Sequence, residues 1–310
     1  MNTADAFEYL ERDTREYTCI YLDPPYGSGR DYALSASSHA SFTDKFTPDE
    51  YESWIGTLVR LCKKRLAPDG TLWFHIASEY SFIPEKVLRN EFRNVEKVYW
   101  KKSHGKNMVK TKMGSVIDVI FRCFQGTPVF NIQYVPLDPY YFEHSYRNTD
   151  ARGLYALGAL RSDRTRRGHV YTFQRDDVEY TAPNGWKVNL DAMNALFADD
   201  RLHFVPKSTN IYKKLYKDEC QGKPLSNLWD DISYITRTQT DPRVYPTQKP
   251  AKLLERIVSL CTNENDLVLD PMAGSGTTGI VCEQLNRRYV LVDVNPEARK
   301  VFESRVSKDE

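Results

Sequence analysis

Apolar and polar residues alternate in blocks along the first 124 positions. The apolar run 19–22 predicts a buried strand. Thr47 precedes a proline and stands three positions before Glu50, which predicts a capped helix start, and apolar residues at 51–62 then share one helical face. Three later apolar runs predict strands at 71–77, 95–100 and 116–124. This order of elements is typical of an α/β protein with a parallel sheet.

The same block pattern returns after position 250, with a helix face at 253–261, strands at 266–270 and 289–294, and a helix ending near 286. Between about 130 and 240 the periodicity is lost, and Tyr, Arg, Asp, Asn and Pro dominate. We therefore expect three parts, residues 1–129, 130–240 and 241–310, of which the middle one is an insertion. The long polar stretch after position 26 predicts a mobile functional segment rather than a plain connector.

Composition narrows the function classes only slightly. The chain has 310 residues, 43 Lys and Arg against 42 Asp and Glu, and a net charge of +1, so only local clusters of charge favour nucleic acid. No apolar run approaches the roughly 20 residues of a membrane span, and we expect no signal peptide. The six cysteines are scattered without a CxxC pair, so we expect reduced packing residues of an intracellular protein, and no metal site.

The first candidate site is the tetrapeptide Asp23-Pro24-Pro25-Tyr26 at the end of the first predicted strand. A carboxylate and a rigid carbonyl can accept both protons of an exocyclic amine, and a tyrosine can stack on the ring that carries it. The prolines fix the backbone and cannot donate hydrogen bonds. A site for a nucleobase amino group is therefore predicted, although Asp and Pro also occur in ordinary turns.

The second candidate site is the glycine-rich turn after the strand that ends at Asp270. Glycines permit a tight turn, and a helix N-terminus offers N–H groups to a polar ligand. Asp293 ends the following strand, where an acid binds ribose hydroxyls in dinucleotide enzymes. Residues 274–279 match GxGxxG, so a dinucleotide enzyme is one alternative, and a turn without a ligand is another. If the strands ending at Asp23 and Asp270 are neighbours, both sites share one crevice.

In these motifs the chain resembles the DNA amino-methyltransferases that make N6-methyladenine or N4-methylcytosine, in their circularly permuted β arrangement. Residues 23–26 match the catalytic DPPY motif, 245–250 (YPTQKP) match the segment before the cofactor site, and 270–278 match the cofactor loop. Residues 185–186 and 227–232 look like landmarks of the adenine-modifying, type III-like branch. The dinucleotide alternative explains neither DPPY nor TQKP. Met272 replaces the usual Phe of the cofactor loop, and Gly27 replaces a common Asn.

The resemblance implies a Rossmann-like sheet with helices on both faces and a target-recognition region at 130–240. It implies that S-adenosylmethionine is the cofactor, and that Asp23 and the Pro24 carbonyl accept the two N–H groups of a base flipped out of double-stranded DNA, with Tyr26 stacked on it. The cofactor-binding residues it implies are Thr247, Lys249, Asp270, Pro271, Met272, Ala273, Gly274, Ser275, Gly276, Thr277, Thr278 and Asp293.

Contacts with DNA phosphates must come from local clusters of basic residues. Their members are Lys101, Lys102, Lys106, Lys110 and Lys112, then Arg161, Arg164, Arg166 and Arg167, and finally Lys213, Lys214 and Lys217. For each cluster alone a solvated surface run is the better explanation, but together with the catalytic motifs we expect phosphate contacts from at least two of the three.

We expect methylation of adenine N6, because cytosine-modifying members of the family more often carry Ser where this chain has Asp23. The alternatives are cytosine-N4 methylation, an RNA substrate, and a catalytically silent DNA-binding subunit. We also expect a homodimer, since relatives in the family often pair. The expected location is the cytoplasm, in association with the nucleoid. A restriction nuclease partner is compatible with the sequence but not visible in it.

Overall fold

The computed structural model describes residues 1–33, 41–103, 111, 113–235, 245 and 247–307. Lys106, Lys110 and Lys112 lie outside the described residues. The strands are β1 (Asn2–Thr3), β2 (Tyr17–Leu22), β3 (Arg30–Ala33), β4 (Ser41–Asp44), β5 (Leu66–Ala77), β6 (Asn94–Lys101), β7 (Ile117–Phe124), β8 (Tyr134–Val135), β9 (Asn148–Asp150), β10 (Gly153–Ala159), β11 (Phe173–Arg175), β12 (Val178–Tyr180), β13 (Leu202–Phe204), β14 (Ile211–Tyr216), β15 (Lys223–Pro224), β16 (Leu228–Trp229), β17 (Leu267–Asp270) and β18 (Arg288–Asp293).

The α-helices are α1 (Ala6–Arg12), α2 (Pro48–Arg65), α3 (Phe82–Glu91), α4 (Pro139–Ser145), α5 (Leu190–Ala198), α6 (Ala251–Cys261), α7 (Thr277–Gln284) and α8 (Pro296–Val306). Single 3₁₀ turns lie at Ser78–Tyr80 and Lys217–Glu219. The predicted start of α2 is confirmed: the Thr47 side chain accepts from the Glu50 N–H, and the Glu50 carboxylate accepts from the Thr47 N–H.

The chain divides into two compact units, residues 1–133 with 226–310, and residues 134–225. In the described part of the larger unit, the main sheet has eight strands in the order β1-β18-β17-β2-β5-β7-β6-β16. The pairs from β1 to β5 are parallel, whereas β7 is antiparallel to both β5 and β6. The parallel arrangement that the element order indicated is present from β1 to β5 but does not extend to β7, because a continuous apolar run predicts a buried strand but not its direction.

Helices cover both faces of this sheet, as expected for the fold class. Helices α1, α2 and α3 pack on one face, around a core that contains Leu10, Ile55, Leu58 and Leu88. Helix α6 packs on the other face, where the Trp73 indole N–H donates to the Cys261 sulfur at 3.2 Å. No helix among the described residues is long and apolar enough to cross a bilayer.

The smaller unit has its own antiparallel sheet, ordered β13-β14-β10-β9, together with the hairpin β11-β12 and the pair β15-β8. Its core surrounds the fully buried Trp186. This unit lies inside the segment predicted at 130–240, but residues 226–235 belong to the larger unit. The reason is β16, which pairs in parallel with β6 and places Trp229 against Trp73, with 6.1 Å between ring centres.

The polar stretch after Tyr26 is not a structureless loop in its described part. Residues 30–33 and 41–44 form an antiparallel pair, β3 with β4, in which Arg30 pairs with Asp44. The hairpin returns the chain to its starting point and so brings Asp44 next to Gly27 and Ser28. The residues 34–40 between the two strands lie outside the described part.

Candidate active site

The two candidate motifs meet in the larger unit at the carboxyl ends of neighbouring strands. Strands β2 and β17 are parallel partners, with Ile20 opposite Leu269. Asp23 and Asp270 therefore lie at neighbouring carboxyl ends of the sheet. A cavity of about 590 Å³ opens there, a volume typical of a small-molecule site. The residues of the two motifs and of the segment before α6 that line it are Asp23, Pro24, Pro25, Tyr26, Thr247, Lys249, Asp270, Pro271, Met272, Ala273, Gly274, Ser275, Thr277, Thr278 and Asp293.

The Asp23 carboxylate makes contacts with both of its oxygens. The Tyr26 hydroxyl donates to Oδ1 at 3.0 Å, and the Lys249 ammonium forms an ion pair with Oδ2. The side chains of Asp23 and Lys249 are only 15% and 10% exposed. Each carboxylate oxygen has a second lone pair, so Asp23 can still accept from an amine. Lys249, which the family resemblance assigned to the cofactor, is therefore also a direct neighbour of the Asp23 carboxylate.

Tyr26 lies with its ring inside the cavity. Its ring centre is 6.5 Å from that of Tyr80 and 5.9 Å from the Lys249 Nζ atom. Burial, followed by the negative charges of Asp23 and Asp118, raises the pKa of Tyr26 well above its usual value. The phenol is consequently neutral at physiological pH and remains a hydrogen-bond donor.

The backbone after the prolines is fixed by a buried carboxylate that the sequence motifs did not indicate. Asp44, 1% exposed, accepts from the N–H of Gly27 at 2.7 Å and from the N–H of Ser28 at 2.9 Å. The Tyr51 hydroxyl donates to the Pro25 carbonyl at 2.8 Å, which fixes the same turn from α2. Asp44 and Tyr51 thus position the DPPY turn.

Gly27 explains one departure from the family pattern. Its φ is +71°, in the left-handed region that glycine and, among other residues, asparagine adopt most readily. A Cβ atom at this position would lie 3.3 Å from the Tyr51 ring. Glycine therefore suits the backbone conformation of this turn and its close approach to Tyr51.

Asp270 is the buried acid at the base of the glycine loop. Its carboxylate accepts from the Thr278 hydroxyl at 2.5 Å and from the Met272 N–H at 3.2 Å. Burial, together with the smaller effect of the charges of Asp23 and Asp293, raises the pKa of Asp270 to about 7, against the lowering effect of these two hydrogen bonds. The group titrates near neutrality for that reason.

The glycine loop and the end of β18 are joined by Asp293. Its carboxylate accepts from the Gly274 N–H and from the Asn295 N–H, both at 2.8 Å.

Gly276 has φ +72°, and a Cβ atom there would lie 2.3 Å from the Phe302 ring. Only glycine satisfies this close approach of α8 to the start of α7.

Only some of the described basic residues of the three predicted clusters are exposed. Lys101, Arg164, Arg166 and Arg167 are exposed. The Arg161 guanidinium donates to the carbonyls of residues 181 and 209, both at 3.2 Å. Lys102 and Lys214 form ion pairs, with Asp118 at 2.6 Å and with Asp150 at 2.8 Å. Arg161, Lys102 and Lys214 thus have structural partners that a charge count does not reveal.

The two recognition landmarks are packing elements. Gly185 has φ +82° and precedes Trp186, which is fully buried in the core of the smaller unit. Trp229 is 1% exposed, and its indole N–H donates to the Ser226 carbonyl at 2.9 Å.

A chain of polar side chains that sequence reasoning missed crosses three strands beside the cavity. The Tyr21 hydroxyl and His75 Nδ1 are 2.7 Å apart, and His75 Nε2 is 3.2 Å from the Asp118 carboxylate. Asp118 in turn pairs with Lys102 at 2.6 Å. These residues lie in three separate predicted strands, so no local motif connects them.

Comparison with known proteins supports a methyltransferase class for this arrangement. The family model for N6/N4 methyltransferases, described as DNA methylase, matches residues 17–304. The chain belongs to this family of DNA methyltransferases. A similar curated protein, the type II methyltransferase M.EcaI of Enterobacter cloacae, is 24% identical over 305 residues, which is 97% of this chain and 67% of that protein.

Two solved structures share the fold. The PvuII DNA methyltransferase, which is cytosine-N4-specific, has a TM-score of 0.56 at 16% identity and covers 97% of this chain and 84% of its own. TTHA0409, a DNA modification methylase of Thermus thermophilus in complex with S-adenosyl-L-methionine, has a TM-score of 0.51 at 16% identity, over 99% and 94% of the two chains. The expected fold class, a Rossmann-like methyltransferase sheet, is thereby confirmed.

Proposed function

We propose that this protein transfers a methyl group from S-adenosylmethionine to N6 of an adenine flipped out of double-stranded DNA. The observation that carries the proposal is the shared cavity, in which Asp23 and Tyr26 of DPPY lie beside the glycine loop that begins at Asp270. A methyl donor in that loop would face an amine bound at Asp23. The family of the chain and the S-adenosylmethionine complex of TTHA0409 support this choice of cofactor.

The cavity residues fit a molecule with the donor set of S-adenosylmethionine. Asp270 and Asp293 are acceptors for the hydroxyl and ammonium groups of such a molecule. Lys249 is a cation that can pair with its carboxylate. Met272 and Pro271 supply apolar contact surface for a purine ring. S-adenosylmethionine supplies an electrophilic methyl group on a sulfonium centre.

Asp23 has the central part in the proposed reaction. Its carboxylate and the Pro24 carbonyl accept the two amine N–H groups, which frees the nitrogen lone pair from conjugation with the ring. With S-adenosylmethionine bound, the nitrogen would attack the sulfonium methyl carbon in line, the methyl C–S bond would break, and a neutral thioether would leave. Positioning in a preorganised polar site supplies most of the acceleration. The product cation loses its proton readily, to Asp23 or to water. Tyr26 stacks on the flipped base.

Adenine is favoured over cytosine by Asp23 itself, since cytosine-modifying relatives more often have Ser at that position. Cytosine-N4 transfer is the second candidate, because a solved structure of this fold has that specificity.

We further propose that residues 130–240 recognise the target sequence, that the exposed Lys101, Arg164, Arg166 and Arg167 contact phosphates, and that the protein acts as a homodimer.

Nucleoside mass spectrometry tests the reaction directly. Unmethylated genomic DNA is incubated with the protein and S-adenosylmethionine, digested, and analysed for N6-methyladenine and N4-methylcytosine. We expect N6-methyladenine alone. N4-methylcytosine would support the second candidate, and DNA without either product would refute the assignment.

The variant Asp23→Ala tests the catalytic assignment. We expect a loss of turnover of at least roughly 10²–10³-fold, because a preorganised polar contact at the reacting group is removed. Binding of S-adenosylmethionine, measured by calorimetry, should stay within a few fold. Asp69→Ala, at an exposed position of β5, is the matched control and should retain full turnover. Substantial turnover by Asp23→Ala would exclude Asp23 as the amine acceptor.

A further inference from the structure

The proposed reaction leaves one group in the cavity unused, the Lys102–Asp118 ion pair. Lys102 follows β6 directly, and its ammonium is 2.6 Å from the Asp118 carboxylate, at 24% and 4% side-chain exposure. Both residues line the same cavity as Asp23 and Tyr26. Sequence patterns placed Lys102 among phosphate contacts, but a partly buried lysine that pairs with Asp118 at the cavity wall does not suit that role.

The position of Lys102 is fixed from several sides. Its backbone N–H donates to the Val116 carbonyl at 3.0 Å, and its carbonyl accepts from the Tyr234 N–H at 2.8 Å. These bonds join the end of β6 to β7 and to the segment after β16. A lysine is usually a flexible point charge, whereas this one starts from a backbone that is bonded on both sides.

Asp118 is itself oriented by the buried chain described above. His75 is fully buried and contacts the Trp100 ring edge-on, with 5.6 Å between ring centres. His75 Nε2 lies 3.2 Å from the Asp118 carboxylate and His75 Nδ1 lies 2.7 Å from the Tyr21 hydroxyl, so the imidazole links the two side chains. The hydrogen bond and charge of His75, with those of Lys102, outweigh burial and lower the pKa of Asp118 to about 2, so Asp118 is ionised and the ion pair is charged.

We propose that Lys102 is a specificity-determining residue that donates a hydrogen bond to the ring nitrogen next to the amine of the flipped base. One proton of the ammonium goes to Asp118, and among the contacts of the described residues two protons remain for a ligand. Adenine and cytosine both place an acceptor nitrogen beside their amino group. Guanine and thymine place a ring N–H beside a carbonyl instead, so in the same orientation Lys102 would face an N–H donor and Asp23 would face a carbonyl acceptor.

Asp23 and Lys102 together would then recognise a two-atom pattern, an amine donor next to a ring acceptor. The pattern rejects guanine and thymine, because a buried donor would face a donor. This inference deepens the proposed function and rests on it.

The test combines variants of the enzyme with atomic changes of the base. The target sequence is first mapped, and duplexes are made in which the target adenine is replaced by 1-deaza- or 7-deaza-2′-deoxyadenosine. Each analogue replaces one ring acceptor by a C–H group and keeps the amine. Lys102→Met is compared with Lys97→Met, which removes another ion-paired lysine of β6, the partner of Glu85 at 2.5 Å.

We expect the 1-deaza analogue, which lacks the ring nitrogen next to the amine, to lower kcat/KM of the wild-type enzyme and of Lys97→Met by roughly 10- to 100-fold, the usual range for a hydrogen bond to a charged group, whereas the 7-deaza analogue is the matched control. Lys102→Met should lose a similar factor on natural DNA and be insensitive to the 1-deaza analogue. The comparison is a ratio within each variant, so the amount of folded enzyme cancels. Lys102→Gln serves in its place if the methionine variant does not fold.

Three results would overturn the inference. The first is that Lys102→Met is as sensitive to both analogues as the wild type. The second is that Lys102→Met is as active on natural DNA as Lys97→Met. The third is that the slope of log duplex affinity against log salt concentration decreases by about one for Lys102→Met, which is the signature of a lost phosphate contact. A wild-type enzyme that forms no methylated base would instead refute the proposed function, and this inference with it.

Discussion

Replacing Asp44 by asparagine would remove the contacts that fix the DPPY turn while changing the side-chain volume very little. The Asp44 carboxylate accepts the N–H groups of Gly27 and Ser28, at 2.7 and 2.9 Å, and the Ser28 hydroxyl at 2.5 Å. An asparagine amide has one oxygen, and its NH₂ group would face one of these donors. We therefore expect local release of the turn, with α2 and the sheet still folded.

The magnitude follows from the number of contacts that are lost. One charge-assisted hydrogen bond is removed, at about 1.5–3 kcal/mol, and one buried donor is left without an acceptor, at about 1–3 kcal/mol. The sum, about 2.5–6 kcal/mol, approaches the stability of a local structural unit, so the turn should open without global unfolding. The population of the ordered turn, and with it methyl transfer, should fall by roughly 10²-fold or more.

Hydrogen exchange with peptide-level mass spectrometry measures this effect directly. We expect faster exchange in the peptide that contains Gly27 and Ser28, unchanged exchange in β5, and a loss of turnover at saturating DNA. Asp49→Asn, an exposed position in the first turn of α2, is the control and should cost at most about 1 kcal/mol through the helix dipole. Unchanged exchange at residues 27–28 in the Asp44 variant would show that Tyr51 and the prolines fix the turn without Asp44.

Three further perturbations have defined outcomes. Asp270 has a pKa of about 7 in the folded protein and about 3.8 unfolded; between these values the folded state binds more protons, so stability falls as pH rises. Asp270→Asn does not titrate, and its Tm deficit relative to the wild type should shrink between pH 5 and 8; parallel Tm profiles would contradict the raised pKa. Gly276→Ala should lower the free energy of unfolding, measured by urea denaturation, by at least about 1–3 kcal/mol, because the backbone has a positive φ and a Cβ atom would lie 2.3 Å from the Phe302 ring. The double variant Arg166→Gln/Arg167→Gln should reduce the slope of log affinity against log salt by about two, and an unchanged slope would remove both from the phosphate contacts.

Local sequence patterns were sufficient for the elements that carry the two motifs. The apolar run before Asp23 and the capping box at Thr47 each specify a strand or helix through contacts within a few residues. The neighbouring positions of Asp23 and Asp270 also followed, since parallel strands in an α/β sheet place their carboxyl ends together. Periodicity and turn chemistry are local, and these features depend on little else.

The partners of the site residues were not predictable in this way. Lys249 pairs with Asp23 across 226 positions, and Lys102 pairs with Asp118 because β6 and β7 are antiparallel, a direction that apolar runs do not encode. Asp44 lies in a polar stretch without periodicity, where only the β3-β4 pairing gives it a function. In each case the information lies in strand pairing between distant segments, and strand pairing is decided by burial of the whole sheet.

The burial of the two tryptophan landmarks limits where sequence recognition can occur. Trp186 and Trp229 are 0% and 1% exposed, and their indole N–H groups donate to the carbonyls of Tyr171 and Ser226. A side chain whose surface and donor are both used inside the protein has nothing left for a base edge. The resemblance to type III-like relatives at these positions therefore reflects packing of the sheet edge and of the smaller unit, not a shared target sequence. We expect that replacing either tryptophan would lower stability without changing which DNA sequence is methylated, and that the specificity of the protein resides in exposed residues that differ among relatives.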